Sequence, residues 1–306
     1  MTYHGGLATH KILIPAPVAD NLSRTTVSGF ALADHAVIAL EGPEAVAFAH
    51  AQFANDVTGL PTGQWQWNAW LTPKGRVIAL FLLARVADDQ LKLVLPDYPA
   101  DAFATALQRY VFRRKLKIAV ADGSRAIGAF APPAQARAAR IGVSGEGLEL
   151  DLGGDGGPRT LWLSSSAEAS PDPARQQAWL DFDLRHGVPR LPASQREQWT
   201  PQQLSLDRLQ AFSVKKGCYP GQEIVARTHF LGKAKRGLML FAATGEIPEG
   251  VMVRSAENDV GEVVACSRHG DECLLLAVVP LEHDGEGLTA NGLPLRRQPL
   301  AGGLQR

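Results

Sequence analysis

The stretch from residue 64 to residue 96, QWQWNAWLTPKGRVIALFLLARVADDQLKLVLP, limits what this chain can fold into more than any other segment. It is rich in aromatic and aliphatic residues, and two turn sequences, Pro-Lys-Gly and Asp-Asp, divide it into runs of strand length. We therefore predict three consecutive strands. Trp65 and Trp67 fall on one strand face and Trp70 on the other, and we interpret all three as core residues.

Helical patterns lie on either side of this stretch. Residues 27–46, VSGFALADHAVIALEGPEAV, predict a strand followed by a helix. Pro99 opens another helix that closes near Tyr110, and residues 115–122, KLKIAVAD, predict a further strand. Strands and helices in this order indicate an α+β fold with helices on one face of the sheet.

A third helix is predicted in SPDPARQQAWLDFDLRHG, with Ser170 as its N-cap, Pro171 at its first position and Gly187 beyond its end. The sequence Thr-Pro-Gln-Gln that begins at Thr200 fits a capping box, in which Thr200 and Gln203 satisfy each other's backbone N–H groups.

The pattern changes near residue 236, after which short strands and turns alternate every ~8–12 residues, as in a small β-barrel or sandwich. We therefore divide the chain into an N-terminal lead (residues 1–25), a main domain (residues 26–236) and a C-terminal domain (residues 237–306).

The composition excludes several classes of protein. The 306 residues include 31 basic and 31 acidic side chains, so no overall charge favours nucleic acid or membrane. Apolar stretches fall short of the ~20 residues of a membrane span, and we expect no membrane association. Three cysteines and no recognisable export sequence predict a cytoplasmic protein. Neither a zinc-binding motif nor a dinucleotide-binding glycine motif occurs, so we predict no metal site.

Two of the three cysteines lie close together in the C-terminal domain. If residues His269 and Gly270 form a two-residue turn, Cys266 and Cys273 are directly opposed on a hairpin. In a reducing compartment we interpret both as small buried hydrophobic residues.

The third cysteine lies in a very different setting, AFSVKKGCYPGQEIVAR, residues 211–227. If a helix begins after the Pro-Gly turn, Cys218 lies just outside the helix N-terminus, with Lys215, Lys216 and Arg227 nearby. Both factors favour the thiolate, which is a nucleophile and a ligand for soft metals. The alternative is an inert core cysteine. Residues 213–236 contain six basic residues and one acidic residue, which suits either a polyanionic ligand or a solvated face.

A second basic segment, residues 109–117, has the sequence RYVFRRKLK. Five basic side chains alternate there with aromatic ones, and no acidic residue interrupts them. This pattern is compatible with a contact to RNA or to a partner, and also with a solvated face.

The segment KKGCYPGQEIVAR resembles the signature of the YgfZ family, folate-binding proteins related to the T-protein, the aminomethyltransferase of the glycine cleavage system. Other segments are similar to that family in the same order, from about residue 27 to the C-terminal barrel: LEGPEAVAFAHAQFANDVTGL, PKGRVIALFLL, LDFDLRHGVPRLP and TPQQLSLDRLQAFSV.

The resemblance implies an aminomethyltransferase-like folate-binding domain around a central channel, followed by a small C-terminal β-barrel. It implies tetrahydrofolate as the cofactor. It also implies an accessory role in the assembly or maintenance of iron–sulfur clusters, with iron–sulfur proteins or their assembly factors as partners. These include the radical enzymes that thiolate tRNA, and this role requires no direct contact with tRNA.

The resemblance also implies roles for particular residues. Cys218 is the working thiol, and the motif residues around it are Lys216, Tyr219, Gln222 and Glu223. The candidates for folate binding are Trp179, which matches a family tryptophan, His35, which stands in place of another, and Arg227. The alternative for Trp179 is packing within its own helix against Phe182.

One departure from the T-protein concerns catalysis. The T-protein follows its hairpin glycine with a pair of carboxylates, and here Ile78 and Ala79 stand at about those positions. Because an aliphatic side chain cannot accept a proton, we expect no aminomethyl transfer of the T-protein kind. Two alternatives stay open: a folate-dependent one-carbon transferase with another substrate, and an RNA-binding module.

Overall fold

The computed structural model describes residues 29–306 apart from residues 122, 146, 167–168 and 233. The predicted N-terminal lead, residues 1–25, lies outside the described residues. Within the described part, the chain forms three antiparallel sheets, four α-helices and one short 3-10 helix. None of the helices in that part is long and apolar enough to cross a membrane.

The first ten strands form two five-stranded sheets, of order β3-β4-β5-β2-β6 and β1-β7-β10-β9-β8. The strands are β1 (Phe30–Ala31), β2 (His35–Glu41), β3 (Gln64–Leu71), β4 (Val77–Ala87), β5 (Gln90–Pro96), β6 (Lys117–Val120), β7 (Arg125–Ala129), β8 (Gly142–Ser144), β9 (Gly147–Asp151) and β10 (Thr160–Ser164).

The structure contains the three strands predicted from residues 64–96. They are β3, β4 and β5, and they are neighbours in one sheet, with Trp67 opposite Leu82 and Leu82 opposite Val94. The first turn is closed by two backbone hydrogen bonds, from Thr72 N–H to the Arg76 carbonyl (2.8 Å) and from Gly75 N–H to the Thr72 carbonyl (2.9 Å).

The last seven strands form a nearly closed, barrel-like sheet of order β16-β15-β12-β13-β14-β11-β17, as the short-strand pattern predicts. They are β11 (Arg236–Thr244), β12 (Met252–Ser255), β13 (Asn258–His269), β14 (Glu272–Pro280), β15 (Leu288–Ala290), β16 (Leu293–Pro294) and β17 (Arg296–Gln298). The division into domains stays a prediction.

The register of β13 and β14 corrects the prediction for the cysteine pair. Arg268, not Cys266, lies opposite Cys273, and Cys266 lies opposite Leu275. The predicted turn at His269 and Gly270 was wrong by one residue, because β13 extends through His269. All three cysteines of the chain are free, and Cys273 is buried, as predicted, whereas Cys266 is half-buried.

Four α-helices lie between these strands. They are α1 (Ala45–Gln52), α2 (Ala100–Gln108), α3 (Pro173–Arg185) and α4 (Gln222–Phe230). Both α1 and α2 cover the same face of the β3-β4-β5-β2-β6 sheet, where Phe48 and Phe103 join Trp70 and Phe81 in one buried cluster. The opposite face of that sheet joins the main core.

The three tryptophans of β3 are core residues, as predicted. Trp65 and Trp67 are 0% and 3% exposed and belong to the main core, which continues through the second sheet, α3 and one side of the barrel. Trp70 is also buried, but on the helix-covered face. The alternation of strand side chains therefore divides the tryptophans between two cores.

Helix α3 begins two residues later than predicted. Asp172 is its N-cap and accepts a hydrogen bond from Arg175 N–H (3.1 Å), and Pro173 occupies the first position. Ser170 and Pro171 do not enter the helix, because the Ser170 carbonyl accepts the Ala31 N–H (3.1 Å) and Pro171 forms a parallel bridge with Ala31 of β1. The end of the helix agrees with the prediction, since Gly187 follows it with φ of 68°.

The capping-box residues Thr200 and Gln203 make the predicted bonds without opening an α-helix. Thr200 N–H donates to Oε1 of Gln203 (3.0 Å), and Gln203 N–H donates to Oγ1 of Thr200 (3.3 Å). The chain continues as turns into the 3-10 helix Leu206–Leu209. Left-handed residues at Ser205 and Gln210 stop that helix on both sides.

Candidate functional site

The loop from Ser213 to Gly221 contains the sequence motif, and Lys216 attaches this loop to the end of α1. The lysine is 7% exposed, and its ammonium group donates to the carbonyls of His50, Phe53 and Asn55. These carbonyls lie at the C-terminal end of α1 and just beyond it. Because a helix leaves its last carbonyls without partners, the lysine satisfies groups that would otherwise be buried and unpaired.

Tyr219 and Gln222 close the loop on itself. The Tyr219 hydroxyl donates to the Ser213 carbonyl (3.0 Å), and the Gln222 amide donates to the Lys216 carbonyl (2.9 Å). The Lys216 ammonium also lies 4.7 Å from the centre of the Tyr219 ring. Burial lowers the pKa of Lys216 to about 8 and raises the pKa of Tyr219 to about 12. These three motif residues therefore build the loop.

Cys218 lies on the outside of this hydrogen-bonded loop. It is exposed and free, and no contact described for this part of the chain engages its sulfur. Glu223, in the first turn of α4, and Arg227, in the last turn, are exposed as well. A Cβ placed on Gly217 would meet nothing within 4 Å, so the approach to the neighbouring thiol is open.

Two glycines bring the motif loop against the β3–β4 turn. Gly221 is the N-cap of α4 with φ of 82°, and a Cβ there would lie 2.6 Å from Cα of Gly75 and 2.6 Å from the Thr72 carbonyl oxygen. A Cβ on Gly75 would in turn lie 2.9 Å from Ile224. The Pro-Lys-Gly turn and the Cys-Tyr-Pro-Gly segment, far apart in sequence, thus form one surface.

His50 and Asp56 form a titratable pair beside Lys216 that sequence reasoning missed. Oδ1 of Asp56 accepts hydrogen bonds from Gly59 N–H and Thr58 Oγ1, both at 2.9 Å, and lies 3.2 Å from Nδ1 of His50. The Gly59 hydrogen bond is the main reason that the pKa of Asp56 is lowered. Burial and the nearby Lys216 charge lower the pKa of His50. Both residues belong to the segment LEGPEAVAFAHAQFANDVTGL. Its similarity to the YgfZ family was the signal from which they could have been identified.

The candidate folate residues His35 and Trp179 lie in a second, separate set of contacts. Their ring centres are 6.4 Å apart at 83°, and the Trp179 ring also meets Phe30 edge-on at 6.0 Å. Trp179 is 1% exposed, so its indole offers no free face to a ligand in this structure. Direct folate stacking on Trp179 stays a prediction.

Trp179 is the first member of a column of four flat groups. The Arg159 guanidinium carbon lies 4.2 Å from the Trp179 ring centre and 4.1 Å from that of Phe182. The Phe182 ring then stacks on His186 at 4.0 Å, with 13° between the planes. His186 is neutral by its contacts: Nδ1 donates to the Phe182 carbonyl (2.7 Å), and Nε2 accepts from Gly156 N–H (3.2 Å). Burial also lowers the pKa of His186.

His186, at the end of this column, borders a cavity of about 330 Å³. The other lining residues are Arg208, Leu209, Gln210 and residues 301–305. The Arg208 guanidinium donates to the Ala301 carbonyl (2.8 Å), and Asn55 Nδ2 donates to the Gln210 carbonyl (2.7 Å). Since Asn55 also accepts from Lys216, a chain of hydrogen bonds links this cavity to the motif loop.

A buried charge network lies behind His35. Arg190 is paired with Asp34, Asp97 and Asp183, and these pairs hold its pKa above the usual range even though burial alone would lower it. Burial would raise the pKa of Asp34, but hydrogen bonds and charges of His35 and Arg190 bring it well below the usual range. The Arg190 charge is thus paired with carboxylates from three separate parts of the chain.

The two residues that the resemblance places at the T-protein carboxylate positions, Ile78 and Ala79, are apolar. Ile78 and Ala79 line a cavity of only about 10 Å³, together with Leu80, Pro96, Tyr98, Pro189 and Leu191. This cavity contains no carboxylate among its lining residues, so it offers neither a proton acceptor nor a partner for an amine.

The arrangement of strands and helices is similar to that of a known aminomethyltransferase. The chain aligns with glycine cleavage system aminomethyltransferase T from Bartonella henselae with a TM-score of 0.68, at 16% sequence identity, over 89% of this chain and 84% of that one. No protein-family model matches the chain. The similarity shows the T-protein-like fold expected from the sequence, and membership of the YgfZ family stays a prediction.

Proposed function

We propose that the protein binds a reduced folate without transferring an aminomethyl group, and that it serves iron–sulfur proteins through Cys218. The main support is the environment of Ile78 and Ala79. In a fold like that of an aminomethyltransferase, the positions where the T-protein resemblance places two carboxylates are aliphatic and line a cavity of about 10 Å³. A protein of this fold can keep a ligand site after losing the groups for transfer.

The cavity of about 330 Å³ beside His186 suits a folate. Its volume falls within the ~300–1,000 Å³ that ligand pockets typically have. Arg208 offers a guanidinium for the carboxylates of the folate glutamate, and Gln210 offers an amide for the polar edge of the pterin. When bound, a reduced folate supplies a carrier for one-carbon groups.

Calorimetry with tetrahydrofolate tests the folate part of the proposal. We expect binding to the purified protein, and we expect Arg208→Ala to weaken it by about 1.5–3 kcal/mol, the value of a hydrogen bond to a charged group. Arg227→Ala is the comparison variant, because Arg227 is also an exposed arginine and is the competing candidate for folate binding. An effect of Arg227→Ala alone would move the site to the motif loop, and the absence of binding would refute the proposal.

A transfer assay tests the second part. With the other glycine cleavage components and tetrahydrofolate, the protein should form no methylene-tetrahydrofolate from the glycine-derived aminomethyl group. Detectable transfer would show that groups other than those at Ile78 and Ala79 do the chemistry, and would support the transferase alternative.

The role for iron–sulfur proteins rests on Cys218. Of the motif residues, Lys216, Tyr219 and Gln222 hold the loop, and Cys218 is presented outward beside an open approach at Gly217. A loop that is held by several hydrogen bonds and exposes its thiol suits a thiol that acts on a partner. We keep the cytoplasm as its compartment, in which an exposed thiol stays reduced.

Complementation in cells that lack the protein tests this role. Cys218→Ser should abolish the support of iron–sulfur enzymes, including tRNA thiolation, while the purified variant keeps its folding and its folate affinity. Cys266→Ser and Cys273→Ser are the controls and should complement. Full complementation by Cys218→Ser would show that the thiol is not required and that the role of the motif is structural.

A further inference from the structure

Phe112 is the most exposed large apolar side chain described in the structure, at 88%, and its backbone is left-handed, with φ of 48°. Water contact with a phenyl ring and a left-handed backbone at a bulky residue both cost free energy. Neither cost is repaid by packing of the Phe112 side chain. Backbone strain of this kind clusters at active sites and ligand contacts, and Phe112 is the one aromatic residue among the described non-glycine residues with positive φ.

The loop that presents Phe112 is firmly held. Val111 is 5% exposed and belongs to the helix-covered core, and the Arg114 N–H donates to the Val111 carbonyl (3.0 Å). Lys115 N–H donates to a carboxylate oxygen of Glu44 (2.6 Å), next to the start of α1. The aromatic side chain therefore stands on an ordered turn, and its binding partner would not have to order that turn.

Exposed basic residues flank Phe112 in the sequence of this turn. Arg109, Arg113 and Lys115 are exposed, and among the described residues no carboxylate forms an ion pair with their side chains. Arg114 lies 3.7 Å from Glu44, which offsets its charge. Tyr110, 42% exposed, is a second aromatic ring on the same turn and is fixed edge-on against Trp70 at 6.1 Å.

We propose that the turn from Arg109 to Lys115 binds a single-stranded nucleic acid, with Phe112 stacking on an unpaired base and the basic side chains contacting phosphates. An exposed aromatic ring among cations matches this ligand, because each nucleotide offers both a flat base and a negative charge. In a duplex the bases are stacked on each other, so a duplex would contact the basic side chains but would offer no unstacked base to the Phe112 ring. This inference is independent of the folate proposal.

The test measures fluorescence anisotropy of labelled oligouridine and oligothymidine, each of ~12 nucleotides, a length within the usual site size. Phe112→Ala should weaken binding about fivefold or more, at the low end of the loss of one stacking contact, and leave the salt dependence unchanged. Phe112→Trp should retain the affinity. Arg113→Ala should reduce the slope of log affinity against log salt by about 0.7, the value for one phosphate contact on a single strand.

Phe230→Ala is the matched control, since Phe230 is also exposed, at 67%, in a basic part of the chain. It should leave the affinity unchanged. Unchanged affinity of Phe112→Ala, or a larger loss in Phe230→Ala, would overturn the proposal. So would a protein that ignores both oligonucleotides and binds phosphatidylserine vesicles through Phe112. Equal affinity for the two oligonucleotides supports stacking, and a preference for the RNA would add a contact to the ribose hydroxyl.

Discussion

Lys216 and Cys218 are two residues apart, yet the structure gives them opposite environments. The lysine is buried with its ammonium group among three carbonyls, and the thiol is exposed. Of the three basic residues that the sequence analysis placed near the thiol, Lys216 joins the motif loop to α1, and Lys215 and Arg227 are exposed. Of Lys216 and Cys218, Cys218 is the residue that a partner can reach.

The lowered pKa of Lys216 predicts a pH dependence of stability. Its pKa is about 8 in the folded protein and 10.5 in the unfolded chain, so the unfolded chain binds more protons between these values. The contribution of Lys216 to stability therefore rises with pH above 8. The measurement is the free energy of unfolding in denaturant, for the unsubstituted protein and for Lys216→Met, at about pH 8 and pH 9.5. Between these two pH values, the free energy of unfolding of the unsubstituted protein should increase by about 1–2 kcal/mol relative to that of Lys216→Met. A constant difference would contradict the assignment.

Substitutions of Trp179 test whether this residue affects the candidate folate cavity indirectly, through the stacked column that ends at His186. Trp179→Ala removes a fully buried indole and should lower the free energy of unfolding by about 3–5 kcal/mol. If folded, it should weaken tetrahydrofolate binding less than Arg208→Ala does, because His186 and not Trp179 borders the cavity. A loss of folate affinity in Trp179→Phe at unchanged stability would instead indicate direct stacking.

At the scale of elements, the contact between the β3–β4 turn and the start of α4 positions the thiol loop. Gly221 has φ of 82° and its missing Cβ makes room for Gly75 and Thr72, whereas Gly63 has φ of 81° with nothing within 4 Å. Gly221→Ala should therefore destabilise the protein by more than Gly63→Ala, which measures the cost of the left-handed backbone alone, about 1 kcal/mol. Thermal and denaturant unfolding check this, and equal losses would mean that the two elements do not depend on this close approach.

Residues 301–306 are the element that links the main sheets to the cavity. Leu304 is 2% exposed, and its carbonyl accepts the Trp67 indole N–H (2.8 Å). Arg306 donates to the carbonyls of Asp151 (3.2 Å) and Gly153 (3.0 Å). A segment that follows the barrel thus returns to the main core and forms one wall of the candidate folate site.

At the scale of the whole molecule, we expect this return to couple the stability of the barrel to that of the main sheets. Leu304→Ala should cost about 2–5 kcal/mol of unfolding free energy, as for other buried leucines, and should also weaken tetrahydrofolate binding. Leu231→Ala is the control, because Leu231 is 84% exposed and should change stability by less than about 0.5 kcal/mol. Equal, small effects of both substitutions would show that this segment is not part of the core.

The sequence by itself determined the features that depend on local pattern. The strands of residues 64–96, the burial of their three tryptophans, the barrel strands after residue 236 and the start of α4 after Gly221 all follow from periodicity, turn residues and caps. These predictions succeed because neighbours within a few residues decide each of them.

The tertiary structure alone decided the features that depend on distant residues. Pairing with β1 took Ser170 away from the cap of α3, and the length of β13 set the register of the cysteines. The Lys216 ammonium group is bonded to carbonyls at the C-terminal end of α1, and residues 301–305 line the cavity beside His186. Local sequence patterns do not predict such contacts, because each contact joins segments that are far apart in the sequence and meet only when the core forms.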